Sequence, residues 1–261
     1  MLLDRPLSDQ QLLLLMTRSD TEDAPWMTTP DVQWRIIALL MSILRLHVER
    51  QKRPWYLAAE MLVTMPRVPG NPESEALDLG PDLMMAVSEE RERDSWSVAD
   101  EGQPPLLVVE VVTRQSRQRD FVTKPSLYDA MGVREYVIFA PRRWNGGSRW
   151  PVLSGYHRDD AGAWVPWLVD KEGTLWSEAL DLALYVEDGK WLRVRDRDGR
   201  VLPSSEEEAR RAVQEAARAE QEEWRAVQEA RRAAQEARRA EKAEAEVARL
   251  RALLEQQRQR E

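Results

Sequence analysis

Between residues 30 and 50, apolar residues recur at alternating spacings of three and four, which places them on one face of an α-helix. These residues are Trp34, Ile37, Met41, Leu44 and Val48. Thr29 and Pro30 precede them, and a capping hydroxyl followed by proline is typical of a helix start. The pattern therefore predicts a first long helix over about residues 30–50, with Trp34 on its buried face.

Short apolar runs follow this helix, and their length and composition predict β-strands. The runs lie at residues 55–64, 83–87, 106–113 and 135–140. The third run contains Leu106-Leu107-Val108-Val109-Glu110-Val111-Val112. Such an almost continuous apolar sequence is typical of a central strand that is buried on both faces. Residues 125–131 predict a helix that ends at Gly132.

Residues 142–203 alternate short apolar runs with turn sequences, a pattern that predicts β-hairpins. The turns are Asn145-Gly146-Gly147, Asp159-Asp160-Ala161-Gly162, Glu187-Asp188-Gly189 and Asp198-Gly199. Because helices and strands are interspersed along residues 29–203, we expect this part of the chain to form one domain of the α/β class. Residues 1–28 have no clear pattern and are interpreted as an irregular N-terminal lead-in.

Residues 204–261 differ from the rest of the chain, because Ala, Glu, Arg and Gln account for most of them. Ser205 followed by three glutamates predicts the start of a long helix. The sequence of residues 211–216 recurs at 225–230, two heptads later. Most apolar positions are alanine, and larger side chains such as Leu250 and Leu254 come near the end. Two interpretations remain open, a solvated single helix rich in ion pairs and a coiled coil with a second copy or another partner.

The composition narrows the classes of protein that fit these patterns. The chain has 261 residues and no cysteine, which excludes disulfides, thiolate nucleophiles and cysteine-ligated zinc. The apolar stretch near the start, residues 12–16, is far shorter than the roughly 20 residues of a membrane span. No basic segment precedes it as in a secretory signal. We therefore expect a cytoplasmic protein without a membrane partner.

The net charge is −8, of which −1 lies in residues 204–261 and −7 in the preceding 203 residues. Proteins that bind nucleic acid over a broad surface are normally basic, so this domain would need a local basic face. Arg114, Arg117 and Arg119 could supply it. They equally fit an exposed loop in which the arginines pair with Asp120 and Asp129.

Two carboxylates could support metal chemistry. Asp82 follows Gly80-Pro81, and Glu110 lies inside the predicted central strand. A buried carboxylate without a partner costs several kcal/mol, and a divalent cation would compensate it. Mg²⁺, or Mn²⁺ in its place, typically takes one or two carboxylates and can activate a water for phosphodiester hydrolysis. Asp82 alone also fits an ordinary turn residue after proline.

Such a site usually has a cation beside the scissile phosphate, commonly a lysine two residues after the glutamate. That position is Val112 in this chain, and Lys124 is the nearest candidate. Lys124 follows the arginine-containing segment and stands at the start of the helix predicted over residues 125–131. A solvated surface lysine is the competing interpretation.

Three segments together resemble the Uma-type restriction endonuclease family of the PD-(D/E)XK superfamily. They are Gly80 to Val87, Leu106 to Val112, and Lys124 to Tyr136. The resemblance spans roughly residues 30–203 and implies a restriction-endonuclease-like core, a central mixed sheet flanked by helices. Members similar to this chain often continue into a charged C-terminal helix.

The resemblance also implies roles for individual residues. Asp82 and Glu110 would be metal carboxylates, Lys124 the displaced lysine, and Glu60 an upstream member of the metal shell. The cofactor would be Mg²⁺ or Mn²⁺ and the substrate DNA, so we expect a Mg²⁺-dependent endodeoxyribonuclease. The alternative is a non-catalytic module that keeps the nuclease fold and recruits partners, or a second copy, through residues 204–261.

The chain departs from the family in two places. Thr113-Arg114-Gln115-Ser116 stands where the family usually has a Ser-Pro-Ser-like turn. Lys124 precedes Pro125, which biases the lysine away from helical conformation, whereas the family lysine normally lies on a continuing helix. We expect Thr123 to act as a cap, with Pro125 in the first turn, and so to restore the geometry.

Overall fold

The computed structural model describes residues 31–66, 76–142 and 150–258. The predicted lead-in at residues 1–28, the helix start at Thr29 and Pro30, and the turn at residues 145–147 lie outside these ranges. The chain divides into two compact units, Met1–Ser205 and Glu206–Glu261.

The first unit contains three α-helices, one π-helical turn and twelve strands within the described ranges. In chain order these are α1 (Asp31–Gln51), β1 (Trp55–Ala59), β2 (Val63–Met65), β3 (Leu77–Leu79), β4 (Leu83–Val87), β5 (Trp96–Ser97), α2 (Val98–Glu101), β6 (Leu107–Val111), the π-helical turn Arg119–Thr123, α3 (Lys124–Met131), β7 (Glu135–Phe139), β8 (Leu153–Arg158), β9 (Trp164–Leu168), β10 (Thr174–Ser177), β11 (Leu182–Glu187) and β12 (Trp191–Arg195). The long helix α4, Ser205–Arg258, follows.

The largest sheet has six strands in the order β1-β4-β6-β7-β8-β9. Only β6 and β7 run parallel within this sheet, and the π-helical turn and α3 connect them. A parallel pair requires such a crossover, because a short hairpin can join only antiparallel strands. Two three-stranded sheets, β10-β11-β12 and β3-β2-β5, complete the unit. The predicted α/β class with a central mixed sheet and helices is confirmed.

The six-stranded sheet separates two apolar clusters. On one face, α1 packs against residues such as Leu107 and Val109, and it also contacts β12 of the second sheet. On the other face, Leu127 and Met131 of α3 pack with residues such as Val108. Strand β6 is therefore buried on both sides, as its apolar sequence predicts. Side chains alternate along a strand, so Glu110 lies on the α3 side with Val108.

The buried face of α1 differs from the predicted one. Its buried residues are Ile36, Ile37, Leu40, Met41, Ile43 and Leu44, whereas Trp34 is 59% exposed. Each helical residue turns by about 100°, and Trp34 therefore falls outside the stripe centred between Leu40 and Leu44. The prediction that Trp34 is buried was therefore wrong. Spacings of three and four residues also fit a row of side chains that begins beside the buried face and not on it.

Two of the predicted hairpins are present in the described residues, whereas at the turn Asp198-Gly199 the structure has only an isolated bridge between Arg195 and Val201. Strands β8 and β9 pair antiparallel around residues 159–163, and β11 and β12 pair around residues 188–190. Helix α3 ends at Gly132, whose φ of 90° is left-handed, as expected for a glycine stop.

The second unit is the long charged helix expected from the sequence. Helix α4 runs for 54 residues, and six of its larger apolar side chains are exposed to solvent. They are Val213, Trp224, Val227, Val247, Leu250 and Leu254. Among the helices of the described ranges, none combines the length and apolar character needed to cross a membrane.

Candidate active site

Asp82 directly precedes β4, and Glu110 lies in the neighbouring strand β6. Leu83 of β4 pairs with Val109 of β6 in an antiparallel register, and extending this register by one residue puts Asp82 opposite Glu110. Directly opposite residues of an antiparallel pair have their side chains on the same face of the sheet. The two carboxylates therefore lie close together, and the Lys124 charge acts on both.

Two donors hold the Asp82 carboxylate in place. The Val111 N–H group donates to Oδ2 with an N···O distance of 2.6 Å, and Gln33 Nε2 donates to Oδ1 at 2.9 Å. Val111 belongs to β6 and Gln33 to α1. The carboxylate is thus fixed from the neighbouring strand and from the first helix, which limits its rotation.

The Glu110 side chain is buried and has two donors of its own. The Tyr128 hydroxyl donates to Glu110 Oε1 at 2.7 Å, and Lys124 Nζ lies 2.9 Å from the same oxygen. Lys124 Nζ also lies 3.1 Å from Asp120 Oδ1. The side chains of Glu110, Asp120, Lys124 and Tyr128 are all buried, so the ion pairs among them are shielded from water. Together with Asp82 and Gln33 they form the cluster described below. Lys124 is therefore a buried residue and not a solvated surface lysine.

The lysine is positioned by a helix that begins before it. Arg119–Thr123 form a π-helical turn, and the Lys124 N–H group donates to the Arg119 carbonyl oxygen. Lys124 has helical torsions, φ −61° and ψ −32°, although Pro125 follows it. The bias expected from proline is overridden because the upstream turn already sets the helical path. The expectation that Thr123 caps the helix was wrong, since its side chain makes no capping hydrogen bond.

A hydroxyl turn joins β6 to this helical segment. The Thr113 N–H group donates to Ser116 Oγ at 3.0 Å, and the Ser116 N–H group donates to Thr113 Oγ1 at 3.1 Å. The Ser116 carbonyl oxygen then accepts from the Asp120 N–H group at 2.9 Å. Thr113 and Ser116 thus close a turn by side-chain bonds at the place where the sequence departs from the family pattern.

Glu60 lies beside the cluster but outside it. Its main-chain N–H group donates to the Asp82 carbonyl oxygen at 3.2 Å, so the two residues are neighbours across β1 and β4. The Glu60 side chain is exposed, and its φ of 52° is left-handed. A place for Glu60 in the metal shell therefore stays a prediction.

The arginines do not form an exposed loop as the alternative interpretation expected. Arg117 and Arg119 are half-buried and helical, and only Arg114 is exposed on the preceding turn. Asp120 is buried beside Lys124, while Asp129 Oδ1 pairs with Arg158 at 2.9 Å. The helical path arises because the Thr113–Ser116 turn leads directly into the π-helical turn.

Burial dominates the electrostatics of the two carboxylates. It raises the pKa of Asp82 to about 6, although Lys124 and the Val111 N–H group lower it in part. Burial also raises the pKa of Glu110 above its usual range, against the lowering effect of Lys124. Burial alone would lower the pKa of Lys124, but Glu110, Asp120 and Asp82 raise it above its usual range. Lys124 therefore keeps its proton, and the carboxylates resist full ionisation.

This donor set fits a divalent cation. Asp82, Glu110 and Asp120, when ionised, exceed the single charge of Lys124 by two negative charges, which a divalent ion would neutralise. The carboxylates supply hard oxygen ligands, which suit Mg²⁺ and Mn²⁺ better than softer metals. The described ranges contain no cluster of three or more His, Cys, Asp or Glu side chains placed to hold a metal. A cation here would take Asp82 and Glu110, the one or two carboxylates typical of Mg²⁺.

Sequence reasoning missed three residues of this cluster: Gln33, Asp120 and Tyr128. Asp120, Lys124 and Tyr128 follow each other at intervals of four, which is one helical face, so their spacing was a usable signal. Gln33 reaches Asp82 from a distant part of the chain. Its contact depends on how α1 packs on the sheet, and no local pattern indicates it.

Comparison with known proteins identifies the family of the chain. A search among curated proteins gives no match. The model of the Uma2 family, described as "Putative restriction endonuclease", matches residues 25–195. The match covers well over half of the chain and includes every residue of the cluster. The resemblance inferred from the sequence is thereby confirmed, and the chain belongs to the Uma2 family.

Proposed function

We propose that this protein is a Mg²⁺-dependent endonuclease that hydrolyses phosphodiester bonds of DNA, with Asp82, Glu110 and Lys124 as its catalytic residues. The observation that supports it most strongly is the buried Glu110–Lys124 ion pair with the Asp82 carboxylate opposite Glu110. Uma2 membership favours the same class of reaction. The hard oxygen ligands of Asp82 and Glu110 support a divalent cofactor, Mg²⁺ or Mn²⁺.

In this proposal, Asp82 and Glu110 hold the cation. When bound, the cation lowers the pKa of a water molecule and offsets the charge of the phosphate. Gln33 and the Val111 N–H group orient the Asp82 carboxylate for this role. Lys124 keeps its proton among the carboxylates, and its ammonium stabilises negative charge that develops on the phosphate oxygens. Glu60, next to Asp82 along the sheet, would join the metal shell through its side chain.

Because the first 203 residues carry a net charge of −7, DNA binding requires a local basic surface. We assign this role to Arg114, Arg117 and Arg119, because they lie between β6, which contains Glu110, and α3, which begins with Lys124. Positive charges near the scissile bond attract the DNA backbone without reading its sequence.

The test is a cleavage assay on linear, supercoiled and single-stranded DNA, with Mg²⁺ or Mn²⁺ and with EDTA. Wild type is compared with Glu110→Gln and with the matched control Glu135→Gln. Glu135 is also a buried carboxylate, but it lies on β7 near its start and bonds Ser177 and the Ala179 N–H group. We expect cleavage by wild type and Glu135→Gln, and none by Glu110→Gln. Equal cleavage by wild type and Glu110→Gln would contradict the proposal.

We propose a second role for α4, pairing with the helix of a second copy. Residues 205–231 contain 8 acidic and 5 basic residues, whereas residues 232–258 contain 5 acidic and 7 basic residues. An antiparallel pair would place each acidic half against a basic half. Exposed apolar residues in both halves, such as Val213, Trp224 and Leu250, favour pairing over a solitary helix. A module that only assembles partners is the alternative to the nuclease, and the cleavage assay separates the two.

A further inference from the structure

The two donors that reach Glu110 meet on one oxygen of its carboxylate. The Tyr128 hydroxyl lies 2.7 Å from Oε1, and the Lys124 ammonium lies 2.9 Å from the same atom. Both donors therefore act on Oε1, and neither of these two bonds involves Oε2. The two contacts fix which carboxylate oxygen is committed to the protein.

The donors occupy one face of a continuous helical segment. Asp120, Lys124 and Tyr128 are spaced by four residues, and Asp120 Oδ1 lies 3.1 Å from Lys124 Nζ. The Tyr136 hydroxyl donates to the Asp120 carbonyl oxygen at 2.8 Å, which ties the start of this segment to β7. All these side chains are buried. Packing therefore fixes the donors before any ligand arrives.

We propose that Tyr128 is a positioning residue: together with Lys124 it holds Oε1 of Glu110, so that Oε2 is the oxygen that binds the divalent cation. Asp120 assists by holding Lys124 against Glu110. This inference rests on the proposed metal site, but not on whether the bound metal leads to DNA cleavage.

The hydroxyl of Tyr128 is the relevant group, because the ring has a separate function in packing. The ring centroids of Tyr128 and Tyr136 lie 4.8 Å apart, and a phenylalanine would keep that contact. The hydroxyl, by contrast, makes a hydrogen bond to a buried carboxylate, which is stronger than a bond between neutral groups. Groups that orient a metal ligand typically change metal affinity by about 10- to 100-fold when they are removed.

The experiment compares Tyr128→Phe with Tyr56→Phe by titrating each purified protein with Mn²⁺ in a calorimeter, without DNA. Tyr56 is also a buried tyrosine, but it stacks on Trp96 and lies on β1, which β4 separates from β6. We expect Tyr128→Phe to bind Mn²⁺ about 10-fold more weakly than wild type, and Tyr56→Phe to bind it with wild-type affinity. Wild-type affinity in Tyr128→Phe, or an equal loss in both variants, would overturn the inference.

A second measurement needs no variant and remains decisive if Tyr128→Phe does not fold. Crystals of wild type soaked in Mn²⁺ should show an anomalous peak at Oε2 of Glu110, with Tyr128 still bonded to Oε1. A peak at Oε1, with the tyrosine displaced, would overturn the inference. If wild type binds Mn²⁺ at Oε2 but cuts no DNA, the nuclease proposal fails and the positioning role stands. If wild type binds no Mn²⁺, both fail.

Discussion

Lys124 Nζ lies 2.9 Å from Glu110 Oε1, although the lysine enters from a helix and the glutamate from a central strand. A lysine two residues after Glu110 would occupy position 112, where Val112 is buried in the apolar cluster beneath α3. The ammonium therefore reaches the carboxylate from α3 instead of from β6. Because it is buried between Glu110 and Asp120, its charge matters for stability as well as for chemistry.

Replacing Lys124 should lower both the stability of the protein and its rate of DNA cleavage. Lys124→Met leaves Glu110 and Asp120 buried without a cation, and breaking a buried ion pair typically costs roughly 3–5 kcal/mol. DNA cleavage should fall by at least about 100-fold, because the charge at the phosphate is lost. Urea unfolding and initial cleavage rates measure the two effects. Lys190→Met, at an exposed lysine over the Trp191 ring, is the control. A Lys124→Met protein with wild-type stability would contradict this account of the pair.

The raised pKa of Asp82 predicts how stability depends on pH without metal. Its pKa is about 6 in the folded protein, against the ordinary value of 3.8. The protonated carboxyl therefore contributes stability that is fully present below about pH 4 and is lost as the pH rises through about 6. The upper bound of this loss is on the order of 2–3 kcal/mol.

Asp82→Asn removes this pH-dependent contribution. In EDTA, the variant should gain stability relative to wild type as the pH rises from 5 to 8, measured by urea unfolding at each pH. Asp160→Asn, at an exposed aspartate, should follow wild type at every pH. A stability difference between Asp82→Asn and wild type that does not change with pH would show that Asp82 titrates normally.

The sequence was sufficient for β4, β6 and β7 and for the family, but the run at residues 55–64 was predicted as one strand and forms two, β1 and β2. Glu110 was identified because a carboxylate inside an apolar strand is unusual, and Asp82 because it follows Gly80-Pro81 in a segment that resembles the family; the pairing of β4 with β6 came only from the structure. Two features could not be predicted from the sequence. The first is the π-helical turn before Lys124, because the conformational preference of a residue before proline does not indicate a helix there. The bond from Gln33 to Asp82 depends on the docking of α1, a long-range contact without a local pattern.

Metal addition should stabilise the folded domain if Asp82 and Glu110 bind it. A ligand that binds only the folded state adds about 2.7 kcal/mol at 100 times its dissociation constant. The midpoint of thermal unfolding should therefore rise with the logarithm of Mg²⁺ concentration for wild type and for Glu135→Gln. It should not rise for Glu110→Gln beyond the effect of NaCl at equal ionic strength. An equal rise in all three proteins would indicate binding elsewhere on the surface.

The long helix α4 can be removed by ending the chain at Ser205. Ser204 is buried, and the Ser205 N–H group donates to Ser42 Oγ at 3.0 Å, so both serines belong with the first unit. A protein ending at Ser205 should therefore unfold at nearly the same temperature as the full chain. Its mass in solution should fall from dimer to monomer.

The physical basis is that α4 has few residues able to drive association. Roughly 25 cal/mol is gained per Å² of apolar surface buried, and alanine contributes little of it, so Val247, Leu250 and Leu254 must supply much of the apolar contribution near the helix end. The opposite charges of the two halves add electrostatic attraction in an antiparallel pair, and salt screens this attraction. Sedimentation equilibrium in 50 mM and 500 mM NaCl should show weaker dimerisation at high salt for the full chain. Leu250→Glu should weaken the dimer further, whereas Gln235→Glu at an exposed polar position should have little effect. If the full chain is monomeric at micromolar concentration in low salt, α4 does not pair with itself, and a different protein must be its partner.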